Sequence, residues 1–430
     1  MTASAPWCAI DFGTSNSAIA LPADGEAGVR LVPLEGEHVT MPTAVFYAAD
    51  EERPHAAPRQ LYGRAALAAY VDGLDGRLMR SMKSILGSPL AEQHTDVGGG
   101  RAVRFLDVVA GYLRHLKAVA EAQAGRPLQR VVLGRPVFFV DDDPAADHAA
   151  QQALERAARE VGFGEVHFQY EPIAAALDFE RGATTEQRVL VADIGGGTSD
   201  FSLVRVGPGR RDRLERQDDI LANHGVHTAG TDFDRRVALE GVYPLLGHRG
   251  RSPEGREVPS RVYFDLSTWH RINTVYAPQR LAELRRMRDF YAEPAHHRRL
   301  MAVLDERLGH ALLGRAEAAK IAVAEHGRAD IDLSLIEPGL HVALDEPRLL
   351  QALAADLDRI VAAARTTVQD AGVAPDAVDA LYFTGGSTGL GPLTQRLAAA
   401  FPRAVARHGD RFASVSQGLG EHARRLFATA

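Results

Sequence analysis

Two short segments of this 430-residue chain set acid, glycine and hydroxyl residues in the same order: Asp11-Phe12-Gly13-Thr14-Ser15 and Asp193-Ile194-Gly195-Gly196-Gly197-Thr198-Ser199. Glycine lets a backbone approach an oxyanion closely, and consecutive N–H groups form an anion-binding nest. The Thr and Ser hydroxyls of these turns would add donors. The aspartates would repel a phosphate unless a cation lay between. Mg²⁺ fits, because it keeps several waters and accepts a few carboxylates together with phosphate oxygens. One such loop alone is more often a structural turn. Two of them facing each other would clamp a triphosphate.

The surrounding sequence must supply elements that hold these loops. Each loop follows an apolar run and leads into another, as in AIDFGTSNSAIAL (9–21) and VLVADIGGGTSDFSLV (189–204), which reads as strand, tight turn, strand. A third glycine turn, YFTGGST, leads into TQRLAAAF and reads as strand to helix. The likeness of the first two segments suggests a duplication, with two related lobes facing each other across a cleft. Between them, FLDVVAGYLRHLKAVAEAQAG has apolar residues at helical spacing, RVVLGRPVFFV reads as a buried strand, and HAAQQALERAAREVGF and EPIAAALDFE read as helices. Pro172 opens the last of these, where its missing N–H costs nothing. Such alternation predicts an α/β fold.

We expect lobe I over residues 1–185, with a turn-rich insertion at about 41–100. Lobe II spans 186–408 with a helical insertion at about 232–325, and 409–430 returns to lobe I. Segment 205–218, VGPGRRDRLERQDD, alternates arginines with acids and reads as a solvated hairpin.

The formal net charge of −7 argues against a surface built for nucleic acid or anionic membrane. No apolar stretch is long enough to span a bilayer, and the first residues lack a signal-peptide pattern. The one cysteine, Cys8, excludes an intrachain disulfide and fits a reducing compartment, so a cytoplasmic location is expected. His296-His297 has no metal-ligand spacing and reads as a solvated pair, Asp141-Asp142-Asp143 as a charged loop. Trp7 and Trp269 have no aromatic neighbours in sequence of the kind that stack on bases. Basic residues are almost all arginine. Only Lys83, Lys117 and Lys320 are lysines, so a lysine in a motif stands out.

In order, DFGTSNS, EPIAAALDF, VLVADIGGGTSDFS, AGTDFD (229–234) and YFTGGST resemble the nucleotide-binding domain of the DnaK-type heat shock protein 70 family. Within that family the chain is most similar to the truncated, YegD-type members. The resemblance implies an actin-like ATPase fold, ribonuclease H-like and duplicated into two lobes, with inserted subdomains. It also implies ATP or ADP with Mg²⁺ as cofactors. Asp11 and Asp193 match the aspartates that hold the Mg²⁺ waters. Gly13, Thr14, Ser15, Asn16, Gly195, Gly196, Gly197 and Thr198 match the phosphate loops, and Gly230 stands in the AGTDFD motif. Lys83, in SMKSILG, matches the lysine at the γ-phosphate and attacking water, and Glu171 and Asp200 match carboxylates around metal and water. Thus Lys83, Glu171, Asp193, Thr198 and Asp200 form the expected catalytic set. Gly385, Gly386 and Ser387 match the adenosine loop, and Glu317 and Lys320 the ribose and adenine side. No GxxxxGK[ST] loop points to another nucleotide fold.

The pattern also departs from the family. Gly389 and Ile321 stand where the family carries basic residues near adenine, and Ala324 replaces a serine, so looser base recognition is expected. Pro136 matches a proline that communicates nucleotide state, but Gln151 stands for its arginine partner. Only twelve residues follow Gly418, whereas a peptide-binding β-sandwich needs about 100. A chaperone-like, slowly hydrolysing ATPase without the peptide-binding domain is therefore expected, with any protein partner or client bound through its lobes. Alternatives are a small-molecule kinase of the same fold, an actin-like filament protein and a nucleotide-sensing binder without hydrolysis.

Overall fold

Apart from Asp11, the run Trp7–Phe12 is apolar on both of its faces, which suits a strand covered from two sides. In the computed structural model it is the central strand of a sheet. The structure describes residues 6–23, 28–49, 58–98, 100–140, 143–410 and 413–428.

Along the first half, β1 (Trp7–Phe12) and β2 (Asn16–Pro22) form a hairpin, and β3 (Val29–Leu31) and β4 (Thr40–Pro42) extend it. Next come β5 (Ala44–Ala48), β6 (Arg59–Tyr62), α1 (Gly63–Val71) and β7 (Gly76–Arg80), then the hairpin β8 (His94–Gly98) and β9 (Arg101–Arg104). The half closes with α2 (Phe105–Ala124), β10 (Arg130–Arg135), α3 (Pro144–Glu160), β11 (Glu165–Tyr170) and α4 (Glu171–Gly182).

The second half repeats the plan. It contains β12 (Gln187–Ile194), β13 (Ser199–Val206), β14 (Ile220–Val226) and α5 (Gly230–Val237), then α6 (Arg261–Leu266), α7 (Pro278–Arg286), α8 (Pro294–Asp305) and α9 (Gly309–His326). After the hairpin β15 (Arg328–Asp332) and β16 (His341–Asp345) come α10 (Glu346–Asp370), β17 (Ala380–Thr384), α11 (Gly391–Ala400), β18 (Val405–His408) and α12 (Ser414–Ala428).

The two large sheets have the same topology. Their orders are β11-β10-β1-β2-β3 and β14-β13-β12-β17-β18, with an antiparallel hairpin at the centre and two parallel strands beside it. Reading one order backwards lays β1 on β12, β10 on β17 and α4 on α12. This is the duplicated, actin-like ATPase architecture.

The helices that end each half change sides. α4 leaves the first sheet and packs on β12, β13 and β17, while α12 leaves the second sheet and packs on β1, β2 and β10. Their small residues, with Val132, Val191, Leu419 and Phe427, form a core between the two sheets. The fit is close: a Cβ added at Gly418 of α12 would fall 1.9 Å from the Ala174 carbonyl oxygen of α4. Two larger cores fill the outer sides of the sheets.

Three local expectations need correction. The segment 41–100 is more than turns: β6, β5 and β7 form a three-stranded sheet backed by α1, because the buried run Ala44–Ala48 gives it a core of its own. In 205–218, Arg216 is buried rather than solvated. It pairs with Glu180 of α4 at 2.9 Å and with Asp219, and acids at two sequence distances supply the neutralisation that burial demands. His297 is also buried, its Nε2 3.0 Å from the Leu284 carbonyl, while His296 is not among the buried residues. Trp269 has no aromatic neighbour in sequence, as expected, and stacks on Tyr70 only through the tertiary fold. Asp141 and Asp142 lie outside the described residues, and Asp143 caps α3 by accepting from the Ala145 and Ala146 N–H groups.

Candidate functional site

Asp11 and Asp193 are the penultimate residues of β1 and β12, next to the two glycine turns. The turns face each other: a Cβ added at Gly196 would lie 3.2 Å from Ser15 Oγ. Thr43, at the entrance to β5, braces the first turn. Its Oγ1 donates to the Gly13 carbonyl at 2.8 Å and its N–H to the Ser15 carbonyl at 2.9 Å.

The second turn is held from behind. Ser387 Oγ donates to the Gly195 carbonyl at 2.6 Å, and Gly230 N–H reaches the same oxygen at 3.2 Å. Thr231 gives both its N–H and its hydroxyl to the Gly196 carbonyl, each at 2.8 Å. In a trans peptide the N–H points opposite to the carbonyl. With the carbonyls of Gly195 and Gly196 held by α5 and the third turn, the N–H groups of Gly196 and Gly197 point the other way. Gly385 adopts φ +86°, and a Cβ there would lie 2.4 Å from the Ile194 carbonyl and 2.7 Å from Asp193 Oδ1, so only glycine fits.

Charge is concentrated in this region. Asp193 stands directly opposite Asp200 in the β12–β13 ladder, a like-charge pairing that destabilises a sheet unless a cation relieves it. Burial pushes the Asp193 carboxyl up to about 7, with Asp200 and Glu171 adding to the rise and Lys83 opposing it. Burial likewise pushes Asp11 up to about 8, with Glu171 and Asp193 adding repulsion. Lys83 lies on a short 3₁₀ turn after β7, and its Nζ is 2.5 Å from Glu171 Oε1, at the first position of α4. Burial would lower the Lys83 ammonium, but Glu171 and Asp11 outweigh it and hold it above the usual lysine range. Gly134 leaves room for this pair, since a Cβ there would meet Glu171 Oε1 at 3.2 Å.

Four carboxylates thus surround one ammonium. The donor set fits a divalent cation held by waters and phosphate oxygens. Among the described residues, no three His, Cys, Asp or Glu side chains are grouped to ligate an ion by themselves.

The structure brings most of the expected residues together around the two glycine turns: Asp11, Gly13 to Asn16, Lys83, Glu171, Gly195 to Thr198, Asp200, Gly230 and Gly385 to Ser387. The adenine side is different. Glu317 is exposed, Ile321 is 46% exposed, and Lys320 is drawn to Asp234 at 2.6 Å, tying α9 to α5. Burial raises Asp234 to about 6, with Lys320 opposing the rise. Sequence reasoning did not single out Asp234, although it sits in the AGTDFD motif. It also missed Thr43 and Gly134, whose roles depend on contacts distant in sequence. Beside Pro136, Gln151 accepts a hydrogen bond from Arg135, which also pairs with Asp147 at 2.9 Å. Among the described residues, no helix is long and apolar enough to cross a membrane.

A family model described as Hsp70 protein matches residues 8–240, more than half of the chain. That span takes in both glycine turns, Lys83 and Glu171. By this match, and by a duplicated fold whose two acidic hairpins face one another, the chain belongs to the Hsp70 family of chaperone-type ATP-binding proteins.

Proposed function

We propose that the protein binds ATP with Mg²⁺ between its lobes, hydrolyses it slowly and passes its nucleotide state to a protein partner or client through the lobes themselves. The observation that carries this reading is the Lys83–Glu171 pair beside Asp11, Asp193 and two facing glycine turns. The N–H groups of Gly196 and Gly197, with the Thr14, Ser15 and Thr198 hydroxyls, bind and orient the phosphates. Lys83 places a fixed positive charge where negative charge shifts during phosphoryl transfer, a step governed by positioning and electrostatics. Glu171 and Asp200 orient the attacking water. When bound through the Asp11 and Asp193 side, Mg²⁺ supplies neutralisation of the phosphate charge.

Against a small-molecule kinase, Lys83 and Glu171 neutralise each other, so Glu171 is not a free base awaiting an acceptor hydroxyl. The exposed Ile321 and the glycine at 389 support loose adenine recognition. The single cysteine, buried and free, supports a reducing, cytoplasmic setting.

Incubation with ATP and Mg²⁺, without any acceptor, tests the reading. Free phosphate should appear at a slow, magnesium-dependent rate. Phosphate that appears only on an added small molecule would identify a kinase, and the absence of nucleotide binding by calorimetry would overturn the proposal.

A further inference from the structure

The insertions of the two lobes touch at a point well separated in sequence from the glycine turns. Tyr70, near the end of α1, stacks on Trp269 from the second lobe, with ring centroids 4.8 Å apart and planes 26° from parallel. The Arg80 guanidinium lies over the same indole, 4.4 Å from its centroid. His310 at the start of α9 closes edge-on against Trp269 at 4.9 Å and against Tyr70 at 5.1 Å. His310 is fixed in turn by a 3.2 Å contact from its Nε2 to Asn273 Oδ1. Trp269 is therefore held from its own lobe and offers its faces to two residues of the other.

Arg80 is the last residue of β7, and Lys83 lies three residues further on. Between them Ser81 adopts φ +55°, in the left-handed region that a non-glycine residue enters only when its surroundings hold it there. Met82 and Lys83 then turn into the 3₁₀ segment, and both are buried. The end of β7 is thus fixed at two points, Arg80 on the indole and Lys83 on Glu171, joined by one constrained residue. Arginine stacks well on an indole because its planar cation is weakly hydrated.

We infer that Trp269 is a positioning residue for Lys83: by capturing Arg80 across the cleft, it sets the end of β7 so that the lysine reaches the phosphate site only when the lobes are closed. This rests on the ATPase reading above and deepens it by naming the contact that couples closure to chemistry. Trp269 acts on Lys83 through Arg80. Its influence passes along four residues of backbone. When the lobes part, Arg80 loses its platform and the Ser81 turn loses one of its two anchors.

The test is a double-mutant cycle on the full chain, read as steady-state phosphate release with nucleotide affinity measured separately. Trp269→Ala should lower kcat about tenfold with little change in nucleotide affinity, and Trp269→Phe, which retains a face for Arg80 and Tyr70, should restore most of it. Lys83→Ala should lower kcat about 100-fold. In the double variant the loss should stay near 100-fold, because a lysine that is absent cannot be mispositioned. A double variant near the product of the two losses, about 1,000-fold, would overturn the inference, as would a Trp269→Ala enzyme with unchanged kcat. Circular dichroism and the thermal midpoint separate misfolding from mispositioning, and Arg80→Ala in a folded protein repeats the test from the other partner. If the parent protein releases no phosphate at all, the ATPase reading falls and this inference with it; turnover in the parent with additive losses removes the inference alone.

Discussion

Lys83 Nζ lies 2.5 Å from Glu171 Oε1, a contact that joins the 3₁₀ turn after β7 to the first residue of α4, 88 positions away. Both ends are held independently, one by the Ser81 turn and the other by the helix start at Pro172. The pair is a fixed dipole facing the two aspartates, and substitution at either end leaves the other charge without its partner.

Lys83→Ala should therefore reduce turnover by about 100-fold or more while nucleotide affinity falls only modestly. Single-turnover phosphate release and a fluorescent-ADP titration separate the two effects. Unchanged turnover would remove Lys83 from the reaction.

Asp193→Asn should have opposite effects on stability and on magnesium use. The folded carboxyl titrates near 7, well above its unfolded value near 4. Between these values the folded state holds a proton that the unfolded state has released. The nucleotide-free protein therefore loses stability as pH rises from about 4 to 7. The neutral amide removes that penalty, so the variant should be more stable at pH 8 by about 1–2 kcal/mol without metal. It should also lose most of the magnesium dependence of nucleotide binding. Urea melts at pH 5 and 8, with calorimetry at graded Mg²⁺, check both parts.

His422 on α12 is buried, and its Nδ1 accepts a hydrogen bond from Gln169 Nε2 at 2.9 Å, which requires that nitrogen to be unprotonated. Burial, aided by Arg425, lowers its pKa to about 4. The unfolded histidine takes up a proton near 6.5 while the folded one does not. The contribution of His422 to stability is thus full above pH 6.5 and is lost as pH drops toward 4. Between pH 7.5 and 5 the loss should be about 2 kcal/mol. His422→Gln should flatten this slope in urea melts across the same range.

Arg216 pairs with Glu180 and Asp219, all three side chains about 1% exposed. Removing one member of a buried ion cluster leaves the rest uncompensated, and Arg216→Met should cost about 3–5 kcal/mol. A shift of the urea midpoint with an unchanged slope would show that the loss is energetic. Arg249, whose pair with Glu240 is exposed, serves as a control, and Arg249→Met should cost under about 1 kcal/mol.

Much of the site was legible from local pattern. The two acid-glycine-threonine turns announce themselves by residue type, and two copies flanked by apolar runs already suggest two sheets meeting at their hairpins. Lys83 could be singled out because its SMKSILG context resembles the family and lysine is rare in this chain. What stayed hidden depends on pairs that no local window contains. Arg216 looks solvated in its own segment and becomes buried only because α4 brings Glu180 to it, 36 residues away. Thr43 braces Gly13 from 30 residues off, and Trp269 finds Tyr70 across the lobes. Lys320 was assigned through the family resemblance, but whether it reaches out to a ligand or back to Asp234 depends on how α5 packs.

Gly418 places one helix backbone directly on another, with no side chain between α12 and the Ala174 carbonyl. Rods in such contact keep a fixed separation, so the sheets they carry can tilt about that line but cannot spread along it. Displacement in any such tilt grows with distance from that line. A pair of dyes on the two insertions would register each opening stroke, while a pair on α4 and α12 would stay silent and serve as the fixed reference.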